Sequence, residues 1–133
     1  MLLQVDIVTP QHLAYQAEAQ SVTLPGAVGP FQVLINHAPI ISALEIGAIK
    51  IIDADGHEHH FATNGGFAEV KKNVVSIVVE TAEEASLIDV ARAERSMEKA
   101  QQRLEHLTNL AERAAEKQAI ARAANRIKVA ALE

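Results

Sequence analysis

The chain has 133 residues, about the size of one ordinary domain or of a small domain that carries an appendage. It contains no cysteine, which excludes disulfides and thiolate metal sites. The net charge of −5 and the aromatic content of 3% argue against nucleic-acid binding, which depends on basic surfaces and aromatic stacking. No stretch approaches the roughly 18–20 apolar residues of a membrane-spanning helix. We therefore expect a soluble protein that meets a membrane only by docking on a complex there.

The first part of the chain is divided into short strands by turn-forming residues. All six glycines and all four prolines lie before residue 67. Leu3, Val5 and Ile7 alternate with polar residues, as in a half-buried strand, and the pair Asp55 and Gly56 is a strong hairpin signal. Many short strands of this spacing predict an antiparallel β-sandwich or barrel. The predicted strands are residues 3–9, 21–24, 31–35, 48–52, 58–63, 67–70 and 74–80.

The second part of the chain predicts helices. From Leu87 onward there is neither glycine nor proline, and strong helix formers dominate. Two apolar stripes recur at helical spacing, and Asn109 with Glu112 fits a helix-capping pattern. We predict helices at residues 87–105 and 110–131, packed as a C-terminal antiparallel two-helix hairpin. One continuous helix is the alternative, because no helix breaker separates the two segments.

The two parts also differ in charge. Residues 1–86 carry ten acidic and three basic side chains, whereas residues 87–133 carry seven acidic and nine basic ones. A change of charge at the same place as a change of periodicity indicates two modules. We place the β-sandwich domain at residues 1–85 and the helical domain at residues 86–133.

A histidine-rich run at residues 57–60 raises the question of a metal site. On a strand, His57 and His59 face one side and His60 faces the other. Catalytic zinc sites usually have three protein ligands, and no third ligand is evident here. No nucleophile, base and acid in the order of a catalytic triad accompany the histidines. The sequence therefore predicts no catalytic residue and no metal site.

Charged residues on the two predicted helices form a candidate anion site. Asp89 suits a helix N-cap, Arg92 and Lys99 follow it, and Arg122 and Arg126 lie four residues apart on the second helix. If the helices fold back on each other, the four bases approach, and an anion such as phosphate would relieve their repulsion. An exposed Asp89 would then accept a hydrogen bond from an adenine amino group. A solvated cationic helix face is the simpler interpretation.

Several segments resemble the epsilon subunits of F-type ATP synthases, and together they cover almost the whole chain. The segment LPGAVGPFQVLINHAPI (residues 24–40) resembles the family's glycine-rich turn, strand and His-Ala-Pro sequence. ALEIG (43–47) is followed by a strand as in the family, and NGGFAEV (64–70) resembles its Gly-Gly-Phe turn. VVETAEEASLIDVARA (78–93) resembles the junction into the helical hairpin, and RAANRIKVA (122–130) resembles the last helix of bacterial members.

The resemblance implies a non-catalytic rotor subunit on the cytoplasmic face of a bacterial plasma membrane. The sandwich would bind the gamma subunit and the rotor c-ring, and so couple proton flow to rotation. The hairpin would be a mobile regulator that, when extended, reaches the catalytic alpha/beta head and inhibits ATP hydrolysis. Folded down on the sandwich, it would release that inhibition.

The resemblance also implies ATP as a regulatory ligand, with no cofactor required. The family's nucleotide motif, Ile/Leu-Asp-x-x-Arg-Ala, matches residues 88–93. Lys99 stands where arginine is usual in nucleotide-binding members, and lysine lacks the guanidinium fork that binds two phosphate oxygens. The implied nucleotide-binding residues are Glu83, Ile88, Asp89, Arg92, Ala93, Lys99, Arg122 and Arg126.

One loop departs from the family's pattern. Gln32 stands where glycine is common, and Ile35 and Asn36 replace the usual Pro-Gly before His-Ala-Pro. In the family this loop faces the rotor ring, and its detailed contacts there depend on these residues and on Pro30.

Two functions of other classes remain as alternatives. One is a stand-alone nucleotide-binding sensor that works outside any complex. The other is a small metal-dependent β-sandwich enzyme that uses His57 and His59. Association with a gamma-like partner distinguishes the rotor subunit from both.

Overall fold

The computed structural model describes residues 1–132 and divides into two compact units, with the boundary between residues 84 and 85. The first unit consists of strands and the second of helices. The strands are β1 (Leu3–Val8), β2 (Leu13–Leu24), β3 (Phe31–Val33), β4 (Ile40–Leu44), β5 (Gly47–Asp53), β6 (Glu58–Thr63), β7 (Gly66–Lys71), β8 (Val74–Val79) and β9 (Glu83–Glu84). The second unit contains a 3₁₀ turn (Ala85–Leu87), α1 (Val90–His106) and α2 (Leu110–Ala130).

The strands form one continuous sheet in the order β4-β7-β8-β1-β2-β5-β6-β9, with β3 paired to β2. The N-terminal strand β1 lies inside the sheet, antiparallel to β2 and parallel to β8. This parallel ladder is an exception to the predicted antiparallel arrangement, which the other ladders of the described strands follow. A parallel pair needs a long crossover connection, and the whole segment from β2 to β7 supplies it.

The sheet closes over one hydrophobic core, which confirms the predicted sandwich. Leu3, Val5 and Ile7 of β1 are fully buried, as their alternation with polar residues predicts. Full burial of a side chain of this kind contributes roughly 1.5–3 kcal/mol. The other members of the core are Ala19, Val22, Leu24, Val33, Leu44, Ile49, Ile51, Phe61, Ala68, Val70, Val75, Ile77 and Val79.

The strand predicted at residues 21–24 is wrong in its extent, because β2 begins at Leu13. The added part contains Ala14, Ala17 and Ala19, and alanine is a weak strand former. An antiparallel ladder with β1 nevertheless holds this part of β2 extended, and the second part pairs with β5. Pairing with a distant segment therefore overrides weak local propensity.

The sequence pattern misses two strands, β4 and β9, and both lie at the edges of the sheet. Ile40 and Ile41 of β4 are both exposed, so the strand lacks the alternation that marks a half-buried strand. β9 has only two residues, which is too short for any period. The third strand is also shorter than predicted and ends at Val33.

The second unit confirms the prediction of two helices. α1 starts after Asp89, whose carboxylate accepts a hydrogen bond from the backbone N–H of Arg92 at 3.0 Å. The predicted start is therefore three residues too early, because the 3₁₀ turn extends to Leu87 and Asp89 is the N-cap. α2 starts after Asn109, whose side-chain oxygen accepts from the backbone N–H groups of Ala111 and Glu112. Both caps satisfy amides that the first helical turn leaves without partners.

Side chains on both sides of the turn fix the two helices as an antiparallel pair. Arg103 Nε donates to Glu116 Oε1 at 2.9 Å. Arg113 Nη1 donates to the carbonyl oxygens of Leu104 and Leu107, at 2.8 and 2.9 Å. These bonds satisfy carbonyl groups at the end of α1 and connect it to α2. One continuous helix is therefore excluded.

Two adjacent glycines shape the entry into β7. A Cβ atom on Gly66 would lie 2.2 Å from the carbonyl oxygen of Val78 and 2.7 Å from Cα of Val79. These are backbone atoms of the paired strand β8, so they cannot move aside as a flexible side chain would. Gly65 has a φ of 111°, which favours glycine. The Gly-Gly-Phe turn therefore requires both glycines for steric reasons.

We expect Gly66→Ala to lower the free energy of unfolding by at least about 3 kcal/mol, because even overpacking against movable side chains costs about 1–3 kcal/mol. Gly56→Ala is the matched control, since Gly56 also has a positive φ, 87°, but no heavy atom within 4 Å of the added Cβ. There only backbone strain of about 1–2 kcal/mol applies. Urea unfolding followed by circular dichroism measures both variants, and equal losses would contradict the steric explanation.

Candidate functional site

The beginning of α1 holds four of the residues predicted to bind nucleotide. Ile88 is 9% exposed and Ala93 is fully buried, so the segment is anchored at both ends. Between them, Asp89 and Arg92 are exposed. Asp89 Oδ1 is engaged by the backbone N–H of Arg92, so the acid has a structural role as the N-cap. A segment held in this way presents its two charged side chains to solvent.

α2 carries the two predicted arginines toward the same end of the hairpin. Arg122 and Arg126 are half-buried and lie one helical turn apart. The ion pair between Arg103 and Glu116 sets the register of the antiparallel helices. Counting from that pair, the turn that holds the two arginines lies level with the first half of α1. α2 also contacts the 3₁₀ turn that precedes α1, and Lys99 of α1 is exposed.

Glu83 is placed differently from the other predicted residues. It belongs to β9 of the first unit, where it is half-buried and pairs with Ala62 of β6. The structure therefore places the predicted nucleotide residues other than Glu83 in the helical unit.

The helical unit has basic side chains that no carboxylate of the unit neutralises. Among the described residues 85–132, Arg92, Lys99 and Arg122 take part in no ion pair. From residue 117 to residue 132 there are four basic side chains and no acidic one. This last part of the helical unit therefore suits an anionic partner. In the part of the chain that the structure describes, no helix is long and apolar enough to cross a membrane.

The histidine-rich run lies around Asp53, a residue that sequence analysis did not connect with it. His59 Nε2 is 2.8 Å and His57 Nδ1 is 3.7 Å from Asp53 Oδ2. Asp53 Oδ1 accepts from the backbone N–H groups of Asp55 and His57, both at 2.9 Å. The hydrogen bond from His59, with help from the two amides, lowers the pKa of Asp53 to about 2. The feature of the sequence that could have revealed this cluster is the Asp55-Gly56 turn, because it folds β5 and β6 against each other.

His60 lies on the other face of the hairpin, as strand alternation predicts. Its Nε2 is 3.4 Å from Glu58 Oε2, and Lys50 Nζ is 3.3 Å from Glu58 Oε1. Lys50 pairs with His60 across the ladder between β5 and β6, so the three side chains share a face. Lys50, and to a lesser extent His60, lowers the pKa of Glu58. The carboxylate of Glu58 is thus stabilised by Lys50 on the neighbouring strand and by His60 on its own strand. This cluster is separate from the cluster around Asp53.

The loop that departs from the family's pattern keeps the backbone conformation of a glycine. Asn36 has a φ of 62°, a left-handed conformation that asparagine tolerates better than most residues. Its backbone N–H donates to Asn73 Oδ1 at 2.6 Å, and Asn73 Nδ2 donates to Asn36 Oδ1 at 3.3 Å. The substitution of Asn for Gly therefore adds a connection to the turn between β7 and β8. Leu34, at the start of the loop, is 51% exposed.

Four side chains form an exposed apolar row that the sequence did not single out. Val8, Val78, Phe67 and Ala43 are successive neighbours across β1, β8, β7 and β4. Phe67 is 62% exposed and Val78 is 58% exposed. The row borders a groove of about 690 Å³ that Pro10 also lines. We call these four residues the outer row, and an apolar surface of this kind is a candidate protein interface.

Two protein-family models match the chain, one over each unit. Residues 2–85 match the model described as "ATP synthase, Delta/Epsilon chain, beta-sandwich domain". Residues 87–131 match the model described as "ATP synthase, Delta/Epsilon chain, long alpha-helix domain".

Relatives from several bacteria are similar over most of their length. The chain is 43% identical over 131 residues to the ATP synthase epsilon chain of Anaeromyxobacter sp. (strain Fw109-5), covering 98% of both chains. It is 45% identical over 111 residues to that of Salinibacter ruber, covering 77% of this chain and 74% of the relative. It is 39% identical over 127 residues to that of Nitratidesulfovibrio vulgaris (strain DP4), covering 96% and 94%.

Two solved structures share the fold. A chain of the Euglena gracilis mitochondrial ATP synthase, OSCP/F1/c-ring in rotational state 1, matches with a TM-score of 0.85 and 21% identity, covering 99% of this chain and 82% of that one. A chain of the central stalk/c-ring of the Tetrahymena thermophila mitochondrial ATP synthase matches with a TM-score of 0.69 and 17% identity, covering 96% of both.

The left-handed conformation of Asn36 is open to a direct test. We expect Asn36→Ala to lower the free energy of unfolding by about 1 kcal/mol, because alanine is strained at this φ. Asn36→Gly should change it by less than about 0.5 kcal/mol, because glycine adopts this φ readily and the lost side-chain hydrogen bond is exposed. Urea unfolding measured by circular dichroism separates the two, and equal effects would contradict the conformational argument.

Proposed function

The chain belongs to the ATP synthase delta/epsilon chain family, and we propose on that basis that it acts in the central stalk, coupling rotation to proton flow and restraining ATP hydrolysis. The observation that carries the proposal is the match of both units, in order and over nearly the whole chain, to this family. Epsilon chains are non-catalytic subunits, so the alternative of a metal-dependent enzyme that uses His57 and His59 is wrong. A stand-alone sensor is disfavoured, because the relatives are chains of a multisubunit enzyme.

The outer row is the surface we assign to the gamma subunit. It spans four strands, so its shape is set by the sheet and not by a flexible loop. A stalk subunit must stay bound while it transmits torque, and stable interfaces place apolar side chains at their centres. Exposed Phe67 and Val78 provide such a centre.

The loop at residues 34–38 is the part we assign to the rotor c-ring. The hydrogen bonds between Asn36 and Asn73 connect it to the body of the sandwich. Leu34 offers an exposed apolar side chain beside that connection. A loop restrained in this way loses less conformational entropy on binding than a free one.

The hairpin is the element we assign to regulation. Its basic last part, residues 117–132, is suited to an acidic surface on the alpha/beta head. A second state, in which the hairpin lies down on the sandwich, would release the head and permit hydrolysis. A ligand shifts the balance between two such states only if it binds one of them more tightly.

ATP is the ligand we propose for the folded-down state. The anchored beginning of α1 presents Asp89 and Arg92, and α2 brings Arg122 and Arg126 level with the first half of α1. Arg92 and Arg122 are not neutralised by carboxylates within residues 85–132, so phosphate oxygens would supply the missing negative charge. Asp89 would accept from the adenine amine while its Oδ1 continues to cap α1.

For ATP binding, we expect isothermal titration of the intact chain to show saturable binding that Arg122→Ala weakens about tenfold or more, as loss of a charged hydrogen bond does. Lys117→Ala is the matched control, because Lys117 is an exposed base of α2 outside the proposed site. Lys99→Arg should tighten binding, because arginine gains a second contact with phosphate. Absence of heat at millimolar ATP, or equal losses in both alanine variants, would reject the site.

For regulation, we expect the assembled enzyme to hydrolyse ATP faster when this chain is truncated after Glu84, because that cut removes the helical unit and keeps β9. Proton pumping should remain coupled, because the sandwich still joins the proposed partners. Steady-state ATPase activity and proton pumping of the same preparation are the measurements. Unchanged hydrolysis in a complex shown to have been inhibited at the start would count against the inhibitory role.

A further inference from the structure

The turn between β5 and β6 collects metal-binding side chains that the proposed function does not use. One ligand atom each from Asp53, Asp55 and His57 lie within 4.8 Å of one another. His57 Nδ1 and Asp53 Oδ2 are 3.7 Å apart. Two atoms bound to one tetrahedral zinc ion at 2.0–2.2 Å are separated by about 3.3–3.6 Å, so this pair is close to the required spacing. Asp55 and His57 are exposed residues of the turn, so their side chains can rotate into place.

Hydrogen bonds from neighbouring groups orient Asp53, the first of these ligands. Asp53 Oδ1 accepts two backbone N–H groups, which aims Oδ2 at the histidines. His59 Nε2 is hydrogen-bonded to that Oδ2 at 2.8 Å, and its ring lies 5.6 Å from the ring of Tyr15. Metal-binding carboxylates and imidazoles are ordinarily oriented by hydrogen bonds of this kind. Asp53 keeps a lone pair on Oδ2 for a cation while His59 remains bound.

We propose that Asp53, Asp55 and His57 form a binding site for a divalent transition-metal ion of the zinc type, with His59 as a positioning residue. Two carboxylates and one imidazole suit zinc, and the two acids neutralise its charge. Three protein ligands leave the fourth position open to water or to a donor from another molecule. The site links the end of β5 to the residue before β6, so bound zinc stabilises this hairpin by favouring the folded chain.

The site is tested on the intact, untagged chain by titration with zinc ions alone, and with cobalt ions to obtain an absorption spectrum. We expect one ion per chain, and a rise in melting temperature with zinc. His57→Ala should weaken binding at least tenfold, because it removes a ligand. His59→Ala should weaken it less than His57→Ala does, because it removes an outer contact of Asp53 and leaves all three ligands in place.

His106→Ala is the matched control, because His106 is an exposed histidine at the end of α1, in the other unit. It should bind zinc as the unaltered chain does. The proposal would be overturned if His57→Ala bound zinc as tightly as the unaltered chain. It would also be overturned if His106→Ala lost as much zinc affinity as His57→Ala. The absence of any heat at millimolar zinc would overturn it as well. A larger loss in His59→Ala than in His57→Ala would overturn the assigned roles.

Discussion

The pairing of β1 on both of its edges is the constraint on which the rest of the structure depends. β2 returns against one edge as the next strand in the chain, whereas β8, which pairs with the other edge, is separated from β2 in the sequence by β3 to β7. The same residues of β1 that make these ladders also bury Leu3, Val5 and Ile7 in the core. The pairing of β1 on both edges therefore joins the strands on its β8 side to those on its β2 side, and it brings the residues of the outer row together.

The parts of the fold that sequence predicts are those specified by neighbouring residues. The hairpin of β5 and β6 follows from Asp55 and Gly56, and the break between α1 and α2 follows from the Asn109 cap. The first half of β2 and the edge strands do not follow, because partners distant in the sequence hold them extended. The parallel ladder is the extreme case, since no local pattern distinguishes a parallel from an antiparallel partner.

The same difference between neighbouring and distant partners decides which features of the sites could be predicted from the sequence. The cap formed by Asp89 involves residues three apart, and it was recognisable from the sequence. The role of Asp53 beside His57 and His59 depends on the hairpin register, and the outer row depends on four strands meeting in order. Asn36 is a third case. It stands where the family usually has glycine, yet it keeps the left-handed backbone conformation that glycine favours.

The two units differ in the size of the apolar side chains that they bury. Of the largest fully buried side chains in the described residues, Val129 is the member from the helical unit, and the others are in the sandwich. The hairpin instead buries alanines, namely Ala93, Ala100 and Ala123. Small side chains bury little apolar area, so the contacts made by the helices cost less free energy to break than those of the sheet. The caps at Asp89 and Asn109 stabilise the start of each helix, and the bonds that Arg103 and Arg113 make to the other helix add to these small apolar contacts.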